Sequence, residues 1–247
     1  MKAVILAAGR GSRLGDLTLD RPKPFIDVHG TPLILNALTQ LKKSGITEVV
    51  IVIGYMADYF RKNIGESHEG LKVTYVENTI WESTNNSYSL LLARGAVGAD
   101  EPMLIMEADI FFNRHFLEAH KMADEKSYWF CSGTHFTGSQ VFVEADNRIS
   151  RIEIIRSDEK LAALKKERTL CKSAGIVKTT GDKTNLIFSE LEKFCSVPEN
   201  VNYYYDVFFN TVIHMLDIYA NEMPQTCWYE IDTQEDREEA ERIIILD

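Results

Sequence analysis

The sequence predicts a three-layer, doubly wound α/β fold, with a mostly parallel mixed sheet, helices on both faces and a small α+β insertion. Three observations carry this expectation. Strand-like and helix-like segments alternate through the first half of the chain. The strand-like run at 2–7 is apolar, and the one at 48–54 is continuous and β-branched, as strands covered on both faces are. The first of them feeds a glycine-rich turn.

Residues 2–7 read as a buried strand, ended by Gly9 and followed by Gly9, Arg10, Gly11, Ser12 and Arg13. Residues 32–43 carry Leu33, Ile34, Ala37, Leu38 and Leu41 at helical spacing, with Gly45 placed to stop the helix. The pattern then repeats: strand 48–54, amphipathic helix 56–64, strand 71–76, helix 88–97 and strand 102–107. Right-handed crossovers put ligands beyond the carboxyl ends of such strands, where both the glycine turn and Asp109 fall. After Asp109 the texture becomes α+β. A strand at 127–132 precedes a hairpin, 141–145 and 149–155, around Asp146, Asn147 and Arg148. A strand at 169–178, helices at 183–195 and 205–220, a strand at 227–231 and a C-terminal helix follow. Thr233 is the expected N-cap of that last helix, with Asp236 at N3.

The 247 residues contain no linker-like tract and no repeat, so a single domain over 1–247 is expected. With 45% hydrophobic and 26% charged residues, disorder, collagen-like and coiled-coil classes are excluded. The balance of 27 basic against 37 acidic residues, net −10, argues against nucleic acid as a partner. Cys131, Cys171, Cys195 and Cys227 are widely spaced and read as reduced thiols. Gly9 and Arg10 interrupt the N-terminal apolar run too early for a signal sequence or a membrane span, so a cytoplasmic protein without membrane contact is expected. Monomer and homodimer both stay open.

Glycines let backbone N–H groups wrap phosphate oxygens, and Arg13 and Lys23 supply the charge a phosphate ester needs as negative charge builds up. The turn is not the dinucleotide G-x-G-x-x-G, since Leu14 holds the third glycine position, and it is not a P-loop. Taken alone, it is equally an ordinary strand-to-helix turn. The six histidines, His29, His68, His115, His120, His135 and His214, are scattered, and none is given a catalytic role. No G-x-S-x-G elbow supports Ser/His/Asp hydrolysis.

The string Leu6-Ala7-Ala8-Gly9-Arg10-Gly11-Ser12-Arg13-Leu14, followed by Arg21-Pro22-Lys23-Pro24, resembles the signature of nucleotidyltransferases that activate sugar phosphates and phospho-alcohols with an NTP. Within that superfamily the chain is most similar to cytidylyltransferases acting on phosphocholine or 2-aminoethylphosphonate. That likeness runs through Asn85 to Leu90, Glu107-Ala108-Asp109 and Trp228 to Thr233. It implies a Rossmann-like nucleotidyltransferase fold and a Mg²⁺-dependent enzyme that transfers CMP from CTP to a small phospho-alcohol or phosphonate, releasing pyrophosphate. Lys23 and Arg13 would be catalytic. Leu6, Ala7, Ala8, Gly9, Gly11, Ser12, Arg13, Lys23, Gly54, Tyr55, Asn85 and Ser87 would bind the nucleotide. Asp109 and Asp232 would hold the metal, with Glu107 standing where relatives carry a shorter acid. Asn86, Ser89, Lys172, Tyr203, Tyr205 and Asp206 would meet the acceptor, the aromatic and acidic residues suiting a cationic amine. Each of these has a plainer alternative: Asn85 to Ser89 as a capping cluster, Tyr203 and Tyr205 as core, Lys172 as a solvated lysine, Asp232 as a helix-capping acid. A sugar-1-phosphate nucleotidyltransferase using UTP, dTTP or GTP is the alternative within the superfamily. A nucleotide-binding regulatory module without turnover is the alternative outside catalysis.

Overall fold

A computed structural model describes residues 1–117, 122, 125–133 and 137–246. His120 and His135 lie outside the described residues. Among the described residues the central sheet has ten strands. Its main path runs Ile149–Ile155, Gly138–Val143, Thr169–Thr179, Met103–Glu107, Lys2–Ala7, Glu48–Ile53, Leu71–Glu77, Ser67–His68. Lys2–Ala7 lies parallel to both Glu48–Ile53 and Met103–Glu107, and Glu48–Ile53 is parallel to Leu71–Glu77. Around this parallel centre the second half adds antiparallel partners, giving the mixed, doubly wound sheet.

Alternation between two cores explains why strand Lys2–Ala7 is apolar from Ala3 onward. Ala3, Ile5 and Ala7 enter one core with Ile34, Leu38 and Leu41, whereas Val4 and Leu6 enter the other with Leu90, Ile187 and Phe208. The helix Leu33–Lys43 ends in a Schellman motif: Ile46 N–H donates to the Leu41 carbonyl at 3.1 Å, Gly45 N–H donates to the Lys42 carbonyl at 3.1 Å, and Gly45 has φ 91°. At the C-terminus, Thr233 Oγ1 accepts from Asp236 N–H at 3.1 Å and Asp236 Oδ2 accepts from Thr233 N–H at 2.8 Å, the reciprocal box that starts helix Gln234–Ile243.

Two expected elements differ. The single helix over 205–220 is a helix only at Tyr205–Val212, followed by a turn at Ile213–Met215 and a strand at Ile218–Glu222. That strand runs parallel to Ser127–Ser132, so pairing satisfies its backbone where an apolar run alone reads equally as helix. The helix expected at 88–97 begins at Asn86, capped by the Asn85 side chain, and tightens to a 3₁₀ turn over Ala93–Ala96. In Thr169–Thr179 the register shifts between Ser173 and Ile176, at Gly175 with φ 66°. A side chain at Gly175 would meet Glu107 Oε2 at 2.8 Å, so the bulge also leaves room for that carboxylate.

Candidate active site

A short antiparallel pairing brings together two acid-bearing turns that lie far apart in the sequence. Ile110–Phe112 pairs antiparallel with Trp228–Glu230, and Ile231 N–H donates to the Asp109 carbonyl at 2.9 Å. Asp109 and Asp232 therefore emerge side by side. Lys23 opens a 3₁₀ turn, Lys23–Phe25, anchored where Phe25 packs edge-on against Tyr59 and Phe60. Its ammonium donates to Asp109 Oδ2 and Asp232 Oδ1, each at 2.7 Å. Arg13 also reaches Asp232 Oδ1 at 2.7 Å. Burial alone would lower the Lys23 pKa, but the Asp109 and Asp232 carboxylates outweigh it and hold the ammonium above the ordinary lysine value. A permanently charged lysine results, 8% exposed, at the mouth of the glycine turn.

Behind this pair stand more carboxylates. One oxygen each of Glu107, Asp109 and Glu230 lie within 4.8 Å of one another. Burial pushes the Glu107 carboxyl well above its usual range, and the negative charges of Asp109, Asp206 and Glu230 add to that. Glu230 is raised by burial against the opposing pull of Lys172, whose Nζ donates to Glu230 Oε2 at 2.8 Å. Asp206 is likewise raised by burial and receives the Ser139 hydroxyl at 2.6 Å. Asn86 Nδ2 donates to Glu107 Oε1 at 3.0 Å. The Asp109 Oδ1 atom is buried and has no hydrogen-bond partner. An all-oxygen donor set with one unpaired buried carboxylate oxygen fits a hard divalent cation such as Mg²⁺. Asp232 is outside this three-acid group and joins it through the shared Lys23 ammonium.

Two adjoining cavities meet at these groups. The first, about 330 Å³, is lined by Leu6, Ala7, Ala8, Gly9, Gly11, Ser12, Arg13 and Lys23, with Asn85, Asn86, Ser89, Glu107 and Asp109. The second, about 350 Å³, is lined by Arg13, Glu107, Gly138, Ser139, Arg156, Lys172, Asp206, Glu230 and Asp232. Of the expected site residues, Gly54, Tyr55, Ser87, Tyr203 and Tyr205 line neither cavity. Ser87 instead donates to the Tyr203 carbonyl at 2.6 Å, tying helix Asn86–Leu92 to the neighbouring turn. Tyr205 is fully buried among Trp129 and Phe209, on the core side of helix Tyr205–Val212, whereas Tyr203 stays exposed just before that helix, with its ring against Phe194. Tyr204 faces both cavities in their place. Lys172 is a buried ion-pair partner rather than a solvated lysine. Asn85 does both of the things weighed for it, capping a helix and lining the first cavity.

Sequence reasoning missed Asn78, Trp81, Thr84, Ser139, Arg156, Tyr204 and Glu230. Asn78 directly follows strand Leu71–Glu77, the same strand-end position as Gly9 and Asp109, and that signal was available. Glu230 precedes Asp232 by two residues, just as Glu107 precedes Asp109, so the repeated acid-x-acid spacing also pointed to it.

Comparison with known proteins agrees with this geometry. Residues 2–140 match the family described as nucleotidyl transferase, and the chain belongs to that family of enzymes. It is 39% identical over 127 residues to CMP-5'-(3-aminopropyl)phosphonate synthase of Streptomyces rubellomurinus, a match covering 51% of this chain and 20% of that protein. The chain thus spans about a fifth of that relative's length. It is 27% identical to the choline-phosphate cytidylyltransferase of Streptococcus pneumoniae, over 99% of this chain and 98% of that one. The solved structure of CTP:phosphocholine cytidylyltransferase (LicC) from Streptococcus pneumoniae superposes with a TM-score of 0.80 at 25% identity, covering 98% of each chain. No helix among the described residues is long and apolar enough to cross a membrane.

Proposed function

We propose that this protein transfers CMP from CTP to a small phosphorylated alcohol or phosphonate bearing an amine, releasing pyrophosphate. The observation that carries the reading is the Lys23 ammonium held 2.7 Å from both Asp109 and Asp232 beside a glycine-turn cavity. A phosphonate or phosphate oxygen attacks the α-phosphorus in line, and no covalent enzyme intermediate is needed. The Gly9 and Gly11 turn cradles the β- and γ-phosphates through backbone N–H groups, with Arg13 beside it. Lys23 stabilises the charge that develops on the α-phosphate. Mg²⁺ is the cofactor this chemistry calls for; Asp109 and Asp232 would hold it, and it would supply neutralisation of phosphate charge. Glu107, Asp206, Glu230 and Asp232 line the second cavity against Arg13, Arg156 and Lys172, a small excess of acid that suits an ammonium on the acceptor.

What supports the cytidylyl and amine assignments is the pair of relatives whose names specify them, together with that acidic cavity. Pyrophosphate release with Mg²⁺, across four NTPs and a panel of acceptors, tests the proposal. Turnover with CTP and an amine-bearing acceptor is expected. Turnover only with glucose 1-phosphate would favour a sugar-phosphate enzyme and reassign the second cavity.

A further inference from the structure

Three tryptophans occur in the chain, and two of them, Trp129 and Trp228, are fully buried. Trp81 is half-buried on a 3₁₀ turn, Trp81–Ser83, and lines the first cavity. The cavity's chemistry is divided. Arg13, Lys23, Glu107 and Asp109 are charged, whereas Leu6, Ala8, Asn78, Trp81 and Thr84 present an uncharged wall.

We propose that Trp81 is the face on which the nucleobase stacks, and that Gly54, Tyr55 and Arg10 exist in part to hold it there. The proposal rests on the nucleotidyl-transfer reading and names the element of the site that takes the base. Gly54 has no space for a side chain: a Cβ there would lie 2.7 Å from the Ala8 carbonyl and 2.8 Å from Trp81 Cβ. Glycine at this strand end is what lets the indole pack down against the start of the glycine turn. Tyr55 meets Trp81 edge-on, with ring centroids 5.4 Å apart and planes at 67°. Arg10, in the glycine turn itself, lies over the Tyr55 ring at 5.6 Å. The indole is thus buttressed by a T-shaped contact with Tyr55, itself held by Arg10, and it also lines the first cavity. A braced aromatic face loses little further freedom when a flat ring settles on it. Every base has a π-face to offer such a platform, so stacking contributes affinity while neighbouring polar groups choose the base.

Fluorescence and calorimetric titrations of the intact chain with CTP, CDP and inorganic tripolyphosphate test this, using wild type, Trp81→Phe and Trp81→Ala. CTP should quench tryptophan emission of the wild type, because Trp129 and Trp228 are sealed in the core. That quench should vanish in Trp81→Phe while CTP affinity stays within a few-fold. Trp81→Ala should weaken CTP and CDP by the same factor, roughly ten- to a hundredfold, and leave tripolyphosphate affinity unchanged. Unchanged CTP affinity in Trp81→Ala would overturn the proposal. Equal losses for CTP and tripolyphosphate would overturn it too, since they would make Trp81 a prop for the phosphate turn. If another NTP binds with the quench and CTP does not, the cytidylyl reading fails and the platform stands; if no nucleotide binds, both fail.

Discussion

Lys23 and Asp232 are separated by 209 positions in the chain and meet at 2.7 Å, with Asp109 at the same distance on the ammonium's other side. One cation joins the glycine turn to both acid-bearing strand ends. Pairing of Ile110–Phe112 with Trp228–Glu230 sets that distance, so the ion triad reports on the assembled fold as well as on the chemistry.

Lys23→Ala should lower kcat by roughly two to three orders of magnitude, the usual effect of removing one donor aimed at developing oxyanion charge. The variant also leaves Asp109 and Asp232 facing each other without their shared cation. Added Mg²⁺ should therefore raise its thermal midpoint more than that of the wild type, as scanning calorimetry would record. Wild-type turnover by Lys23→Ala would refute the assigned role.

Gly11 has φ 71°, and a Cβ there would lie 2.5 Å from Lys23 Cβ and 2.8 Å from its Cδ. Gly11→Ala is expected to cost about 1–2 kcal/mol of stability through left-handed strain. It should cost more in turnover, on the order of a hundredfold, because the Lys23 stem has to shift. Paired denaturation and steady-state measurements separate the two effects.

Lys172→Met keeps an apolar stem but strands the Glu230 carboxylate among Glu107, Asp109 and Asp206. Removing one partner of such a pair should cost on the order of 3 kcal/mol near neutral pH. Burial raises the Glu230 pKa, so below that raised value the carboxyl is neutral and the lost lysine matters less. The stability gap between variant and wild type should shrink as urea titrations move to acid pH.

Asp206 carries a pKa raised by burial, opposed by the Ser139 hydroxyl and Lys172. A raised acid is protonated more readily when folded, so its penalty is absent below the ordinary aspartate value, about 4, grows as pH rises from there, and is complete above the raised one. Asp206→Asn keeps the acceptor for Ser139 and removes the charge. It should match wild-type stability in acid, exceed it at neutral pH, and raise KM for an amine-bearing acceptor.

Much of the parallel half was legible because its strands are buried on two faces, which writes an unbroken β-branched run into the sequence at 49–53 and a glycine at the strand end. The capping box at Thr233 and the stop at Gly45 were legible for the same local reason. Ile218–Glu222 was not, since its partner Ser127–Ser132 lies far away in sequence and so short a stretch fits either period. In the site, the glycine turn, Lys23, Asp109 and Asp232 carry a signature. Among Tyr203, Tyr204 and Tyr205 the direction of the chain at a helix start decides: Tyr205 enters the core, Tyr203 stays exposed and Tyr204 lines the cavities, while Trp81 and Arg156 arrive through long-range packing that leaves no local pattern.

Pyrophosphate release with Mg²⁺, CTP and a short amine-bearing phosphonate or phosphate, measured side by side for wild type and Lys23→Ala, bears most directly on the central claim. CTP-dependent release by the wild type, reduced at least a hundredfold in the variant, is the result expected. Equal rates in the two proteins, or no release by the wild type with any NTP and acceptor in the panel, would contradict it.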